Sequence, residues 1–290
     1  HLNPLLMELI EHNALCTEIR HPYSYGDQFT YLLLSDLHFD NPLCNRNTLF
    51  RLMDEAVERN AKIIINGDLF CMMQARNDKR HTKSSVRREH MVSNYFDAVI
   101  QDTAELFEPY KDNIILMGDG NHETAITKRK EINPLGLLKH RMNADYGANI
   151  IHQGYHGYVI FTFDYKSTGG KIRRKIMYRH HGKYTGQVTM GVLGVKRHQV
   201  AVEADIYWTG HTHNLWHVTT QVAHLNAAKE VRVKDLDHVK TGSFKQEFDQ
   251  PGGFGVEKLA EPKAIGGYWM TFAIPRRRGN DVQVRFTQAK

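Results

Sequence analysis

The stretch Lys62-Ile63-Ile64-Ile65-Asn66-Gly67-Asp68-Leu69-Phe70 restricts the fold of this chain more than any other. Three consecutive isoleucines predict a strand covered on both faces, because β-branched side chains suit a pleated surface and no polar residue alternates with them. Such a strand belongs inside a parallel sheet with helices packed over it. Asn66 and Gly67 end the strand, and Asp68 is then presented at its C-terminal edge, where open α/β sheets bind ligands. Gly-Asp alone is a common turn and becomes informative only through what the other strand ends carry.

Phe29 to Ser35 predicts a buried strand ending in Asp36-Leu37-His38. A helix follows from Arg46 to Asn60, with Leu49, Leu52, Met53, Ala56 and Val57 on its apolar face. With the Ile63 strand this makes a β-α-β unit. A second helix is expected from about Glu89 to Phe107, then a strand over Asn113 to Met117 leading into Gly118-Asp119-Gly120-Asn121-His122-Glu123. Past residue 148 the pattern becomes antiparallel. Tyr158 to Phe163 and Lys175 to Tyr178 flank a Ser-Thr-Gly-Gly turn, and the second strand runs into His180-His181-Gly182. Ala204 to Trp208 ends in Gly210-His211-Thr212-His213, and Trp208 and Trp216 are expected in the core. Residues 1–28 form an N-terminal arm. Within it, Asn3-Pro4 followed by Leu5, Leu6, Leu9, Ile10, Leu15 and Ile19 predicts an amphipathic helix, a packing arm or an oligomer contact. Residues 29–290 read as one domain with a basic insertion at 72–90 and C-terminal β-hairpins.

Hydrophobic content of 41% and charged content of 24% fit a globular chain. The three cysteines, Cys16, Cys44 and Cys71, are odd in number and widely spaced, which argues against a disulfide framework and for a reducing cytoplasm. No apolar run approaches the roughly 20 residues that span a bilayer, so no membrane partner is expected. Net charge +6 and a pI near 9.1 favour polyanionic partners such as DNA or RNA. Eighteen histidines matter chiefly for where they fall: most of the strand ends above carry one, and Asp68 ends another. An extended backbone would aim both side chains of Asp36-x-His38, and both of His211-x-His213, the same way. Carboxylate, imidazole and amide oxygen together suit manganese, iron or zinc. Asp36, His38, Asp68, Asn121, one of His180 and His181, His211 and His213 are too many for one tetrahedral ion and enough for two that share a carboxylate.

Taken in order, these five blocks resemble the calcineurin-like metallophosphoesterase superfamily, whose blocks are Asp-x-His, Gly-Asp, Gly-Asn-His-Glu/Asp, His and Gly-His-x-His. The resemblance spans roughly residues 30–245 and includes Thr241-Gly242-Ser243. It implies an α/β fold, a two-sheet β-sandwich of mixed sheets flanked by helices in four layers. It implies a first metal on Asp36, His38, Asp68 and His213, and a second on Asp68, Asn121, His180 and His211, with Asp68 bridging. His180 is favoured over the adjacent His181 because the family ligand usually ends the strand directly. His122 matches the histidine that helps the leaving oxygen depart, with Glu123 as its orienting partner. The implied cofactors are two divalent ions, manganese first, with iron, zinc, nickel or magnesium as alternatives. The implied chemistry is in-line attack by a hydroxide held between ions about 3.5–4 Å apart.

Protein Ser/Thr phosphatases of the superfamily carry Asp-Arg-Gly soon after the second block, whereas this chain has Leu69-Phe70-Cys71-Met72-Met73. Gly-Asp-Leu-Phe instead resembles the repair-nuclease and phosphodiesterase branch, which implies a phosphodiester substrate in nucleic acid or a nucleotide. Arg80, Lys83, Arg87 and Arg88 are then candidate backbone contacts, against the alternative of a solvated basic loop. Two other readings stay open: a metal-dependent phosphomonoesterase acting on protein or small molecules, and a non-catalytic scaffold of the same fold. Intact blocks count against the scaffold. Asp119 departs from the family pattern and is read as a turn residue, and Cys71 as a small buried hydrophobe.

Overall fold

A computed structural model describes residues 7–72, 85–166, 170–181, 190, 192–225, 228–248, 261–276 and 282–290. One sheet contains β3 (Gln28–Leu34), β4 (Lys62–Asn66), β5 (Ile114–Gly118), β6 (Ile151–Gln153), β12 (Gly267–Ala273) and β13 (Gln283–Ala289). Its order is β13-β12-β3-β4-β5-β6, with β3 to β6 parallel and β12 and β13 antiparallel at one edge. The second sheet contains β1 (Glu8–Asn13), β2 (Cys16–Tyr23), β7 (His156–Tyr165), β8 (Lys171–Arg179), β9 (Ile206–Thr209), β10 (Trp216–Leu225) and β11 (Val231–Lys240). Its order is β1-β2-β7-β8-β9-β11-β10, again with mixed directions. Helices α1 (Arg46–Glu58), α2 (Tyr95–Phe107), α3 (Asn121–Lys130), α4 (Pro134–Tyr146) and α5 (Val195–Ala201) complete the elements.

The isoleucine strand divides its side chains as its pattern requires. Ile63 and Ile65 are fully buried in the core shared with Leu49, Leu52, Val99, Leu135 and Leu138 of α1, α2 and α4. Ile64 points the other way, into the core between the sheets with Phe161, Ile176, Trp208 and Met270. Each such burial contributes roughly 1.5–3 kcal/mol relative to an exposed side chain. A third cluster, Met177, Ala204, Tyr207 and Leu236, lies on the outer side of the second sheet. There Gln199 of α5 meets His238 of β11 at 2.9 Å. The result is helix, sheet, sheet, helix, the four-layer sandwich that the resemblance implies. None of the described helices is long and apolar enough to cross a membrane.

Three expectations are corrected. Over the described residues the N-terminal helix is not formed: Glu8–Asn13 and Cys16–Tyr23 are antiparallel strands with Leu9 opposite Ile19, while Asn3, Pro4, Leu5 and Leu6 lie outside the described residues. Asn13 closes the turn between the two strands, its side chain accepting from Leu15 N at 2.9 Å. Beyond that turn, Thr17, Ile19, His21 and Tyr23 alternate inward against β7. The second helix begins at Tyr95 and not near Glu89, because His90 turns inward to Asp102 at 3.1 Å and a separate short turn precedes α2. Val57 and Trp216 are also more exposed than expected, Val57 at 46% and Trp216 half-buried on β10.

His21 sets a pH dependence of stability. Its ring lies 4.2 Å from that of Phe29, its Nε2 faces the Tyr31 hydroxyl, and burial, with a smaller contribution from Lys62, lowers its pKa from 6.5 to about 4. The folded state therefore resists a proton that the unfolded chain accepts, so this stabilisation is complete above about pH 6.5 and is lost as the pH falls toward 4. Denaturant titrations at pH 7 and pH 4 should show wild type losing roughly 3 kcal/mol more than His21→Phe. Equal losses would contradict this assignment.

Candidate metal centre

The candidate ligands sit in loops, with a backbone that ordinary residues avoid. Asp36, His38, Asp68, His211 and His213 all have positive φ, at 54°, 46°, 48°, 69° and 56°. Each such conformation costs of order 1–3 kcal/mol and persists only where the surroundings over-determine it. This corrects the expectation that an extended backbone aims Asp36 and His38 together, since β3 ends at Leu34. Tethering aims them instead. Asp36 N donates to Gly67 O at 2.9 Å, His38 N to Asp68 O at 3.0 Å and Phe39 N to Leu69 O at 2.7 Å, so the loops after β3 and β4 run together. The second sheet's loop is held in the same way, Gly210 N donating to His180 O at 3.0 Å.

Close approach fixes two glycines. A Cβ on Gly67, itself at φ +76°, would lie 2.5 Å from His180 Nδ1. A Cβ on Gly120 would lie 2.1 Å from Asp68 Oδ1. Gly120 caps α3, and His122 N at the start of that helix donates to Asp68 Oδ1 at 2.9 Å. The helix N-terminus thus favours the Asp68 charge.

The side chains gather into two groups, Asp36 with His38 and His213, and Asp68 with His180 and His211. Within each, the possible ligand atoms lie within 4.8 Å of one another. His213 Nε2 is 3.3 Å from Asp36 Oδ1 and 3.4 Å from His38 Nε2, and His180 Nε2 is 3.1 Å from Asp68 Oδ2. His180 also reaches Asp36 Oδ1 at 3.8 Å, which ties the groups together. The other Asp36 oxygen is occupied, accepting from Ser35 Oγ at 2.5 Å and His211 N at 2.9 Å. Asp36 Oδ1, Asn121 Oδ1 and His180 Nε2 have no hydrogen-bond partner, three of eight such buried side-chain atoms among the described residues. An orphaned buried oxygen carries a full desolvation penalty, which a bound cation would relieve at Asp36 Oδ1 and Asn121 Oδ1. The donor set therefore suits borderline divalent metal ions.

Electrostatics agree. Burial opposes ionisation of Asp36 and Asp68 and is the largest single influence on each. The surrounding histidines together outweigh it, His180 with His213 at Asp36 and His180 with His122 and His38 at Asp68, and hold both carboxyls below their usual range. The same carboxylates, against burial, raise His180 to about 10, so in the absence of another cation it takes the balancing proton. Burial lowers His38 well below its ordinary range and His211 to about 4, leaving both rings neutral with lone pairs to offer. His180, and not His181, enters the cluster: its Nδ1 meets Asn66 O at 2.8 Å, which turns Nε2 toward Asp68 Oδ2. His181 lies against the His211 ring, centroids 4.1 Å apart.

His122 lies beside this cluster, its ring 5.0 Å from that of His38. Its orienting partner is not Glu123. His122 Nδ1 donates to Cys71 O at 2.9 Å, whereas Glu123 is buried and accepts from Gly120 N, Phe70 N and Asp68 N at 2.8, 2.9 and 3.1 Å. At the third position of α3 its carboxylate reaches back to cap the helix and cannot also face the His122 ring. Burial and the Asp68 charge raise Glu123 to about 8 despite those three donors. Asp119 pairs with His152 at 2.8 Å, which is more than a turn residue does. Arg80 and Lys83 lie outside the described residues. Arg87 is turned inward, its side chain 17% exposed and 3.8 Å from Glu89, and Arg88 is exposed. Among the described residues no hydrogen bond or ion pair joins either arginine to the cluster.

Further residues support the cluster; of these Ser35 and Lys240 carry no sequence signal, whereas Thr241 and Ser243 fall in the Thr241-Gly242-Ser243 run. Ser35 and Ser243 hold Asp36, Ser243 Oγ donating to its carbonyl at 2.9 Å, and Trp208 Nε1 donates to Thr241 Oγ1 at 3.0 Å behind them. Lys240 is buried, and its Nζ donates to Thr212 Oγ1 at 3.0 Å in the His211–His213 loop.

With fold and geometry in hand, the class is settled. Residues 29–215 match the calcineurin-like phosphoesterase family, and the chain belongs to it. Similar solved structures include vacuolar protein sorting 29 from Cryptosporidium parvum, at 15% identity, TM-score 0.38, and coverage of 91% of this chain and 98% of that one. A metallophosphoesterase from Sphaerobacter thermophilus is 12% identical, with TM-score 0.37 and coverage of 90% and 88%. GAP50, the anchor in the inner membrane complex of Plasmodium, is 11% identical, with TM-score 0.41 and coverage of 91% and 89%. No curated protein sequence matches the chain.

Replacing Gly120 by alanine should push Asp68 out of the cluster, because the new Cβ meets both its carboxylate and its main chain. Calorimetry with Mn(II) should show affinity falling at least about tenfold, with circular dichroism unchanged. Wild-type affinity would contradict the packing argument.

Proposed function

We propose that this chain is a dinuclear metal-dependent phosphodiesterase acting on nucleic acid or a nucleotide. The observation that carries the proposal is the pair of linked ligand groups with orphaned acceptor atoms. Asp36, His38, Asp68 and His213 would hold one divalent ion, and Asp68, Asn121, His180 and His211 the other, with manganese favoured by the mixed donor set. When bound, such a pair polarises phosphoryl oxygens and acidifies water. The chain's own residues supply the rest. With its Nδ1–H fixed on Cys71 O, His122 in its doubly protonated form presents Nε2–H as the group that would hand its proton to the departing oxygen, leaving the neutral Nδ1–H ring. Glu123 clamps the loops of Asp68 and Gly120 to the helix that carries His122.

Support for a diester comes from the Leu69-Phe70-Cys71 run in place of Asp-Arg-Gly, and from the net charge of +6. Arg80, Lys83 and the exposed Arg88 are the proposed backbone contacts, and Arg87 serves mainly to hold its own segment. All three cysteines are free, which supports a reducing, cytoplasmic setting.

Bis-p-nitrophenyl phosphate should be hydrolysed in Mn(II) faster than the monoester, and Asp68→Asn should abolish the activity. His122→Asn should lower kcat about 10²- to 10⁴-fold for a poor leaving group and far less for p-nitrophenolate, which needs little protonation. Monoester activity alone would make the chain a phosphomonoesterase. Inactivity on both, in a protein that binds no metal, would make it a scaffold.

A further inference from the structure

Cys71 sits between the two histidines that the proposed reaction uses differently. Its Sγ is 3.0 Å from His38 Nδ1, and its carbonyl accepts from His122 Nδ1 at 2.9 Å. Asn41 Nδ2 donates to the same sulfur at 3.4 Å, so the thiol is placed among donors. The residue itself is pinned. Asp40, 1% exposed, accepts from Cys71 N at 2.5 Å through Oδ1, and from Met72 N at 2.8 Å and Tyr95 Oη at 2.9 Å through Oδ2. Met72 at φ 47° shows how sharply this segment is bent to do so.

A neutral imidazole carries one ring proton, and a histidine that offers Nε2 to a metal must keep that proton on Nδ1, where an acceptor fixes both tautomer and ring angle. His38 is 2% exposed, and Cys71 Sγ is the partner its Nδ1 has, while its Nε2 faces His213 Nε2. We propose that Cys71 is a positioning residue with two separable parts: its sulfur holds His38 in the Nδ1–H tautomer for metal binding, and its main-chain carbonyl holds His122 for the leaving group. Only the first depends on the side chain. The proposal rests on reading His38 as a metal ligand.

Three variants separate these parts. Valine fills the thiol's volume but accepts no hydrogen bond, alanine removes both volume and acceptor, and serine keeps an acceptor. Mn(II) calorimetry should show Cys71→Val and Cys71→Ala binding at least one ion about 10- to 100-fold more weakly, and Cys71→Ser within about threefold of wild type. Long-range ¹⁵N correlation spectra of the metal-free proteins should show His38 losing its Nδ1–H in Val and Ala and keeping it in Ser. The His122 signals should be the same in all three. Wild-type affinity and an unchanged His38 tautomer in Cys71→Val would overturn the proposal, as would Cys71→Ser failing alongside Val. If wild type binds no Mn(II), the ligand reading of His38 fails, and the tautomer spectra alone then decide the role of the sulfur.

Discussion

Two buried carboxylates govern this structure. Asp36 is fully buried and Asp68 is 2% exposed, and among the described residues no lysine or arginine forms an ion pair with either. Charges in such surroundings must be paired or coordinated. The groups facing them are imidazoles, backbone N–H donors and one serine hydroxyl. Both sheets end here: Asp36 and Asp68 follow β3 and β4 of one, and His180 and His211 follow β8 and β9 of the other. The sandwich core between the sheets fixes the distance at which these four residues meet.

Holding them there strains the backbone. Five of the seven candidate ligands take a left-handed conformation, which loop-to-loop hydrogen bonds and buried acids at the loop bases keep in place. Glu123 and Asp40 are those acids. Each accepts backbone N–H bonds from the segment after β4, Glu123 from Asp68 and Phe70, and Asp40 from Cys71 and Met72. A short run, Asp68 to Met72, is thereby clamped at four of its five residues, and it carries both the shared carboxylate and the carbonyl that orients His122.

Much of this was legible in the sequence, for a physical reason. Ile63-Ile64-Ile65 needs cover on both faces, and the five blocks fall where strands end, so a covered parallel sheet and ligand residues gathered at its strand ends follow from local pattern. The two-sheet sandwich and the choice of His180 over His181 are what the family resemblance implies. The parts that were not legible depend on tertiary partners. Leu9 and Ile19 fit helical spacing until β7 offers β2 an edge to pair with. Glu123 lies next to His122 in sequence, but one residue along a helix turns a side chain about 100° away, and the carboxylate caps instead. Asp40, Ser35 and Lys240 have ordinary neighbours in the chain and acquire their roles only by burial against the loops.

The most direct test of the central claim is anomalous diffraction from crystals grown with Mn(II). Two peaks on either side of the Asp68 carboxylate, one beside Asp36, His38 and His213 and one beside Asn121, His180 and His211, are the predicted result. A map without ordered manganese at these residues, or with a single ion that leaves Asp68 untouched, would contradict it.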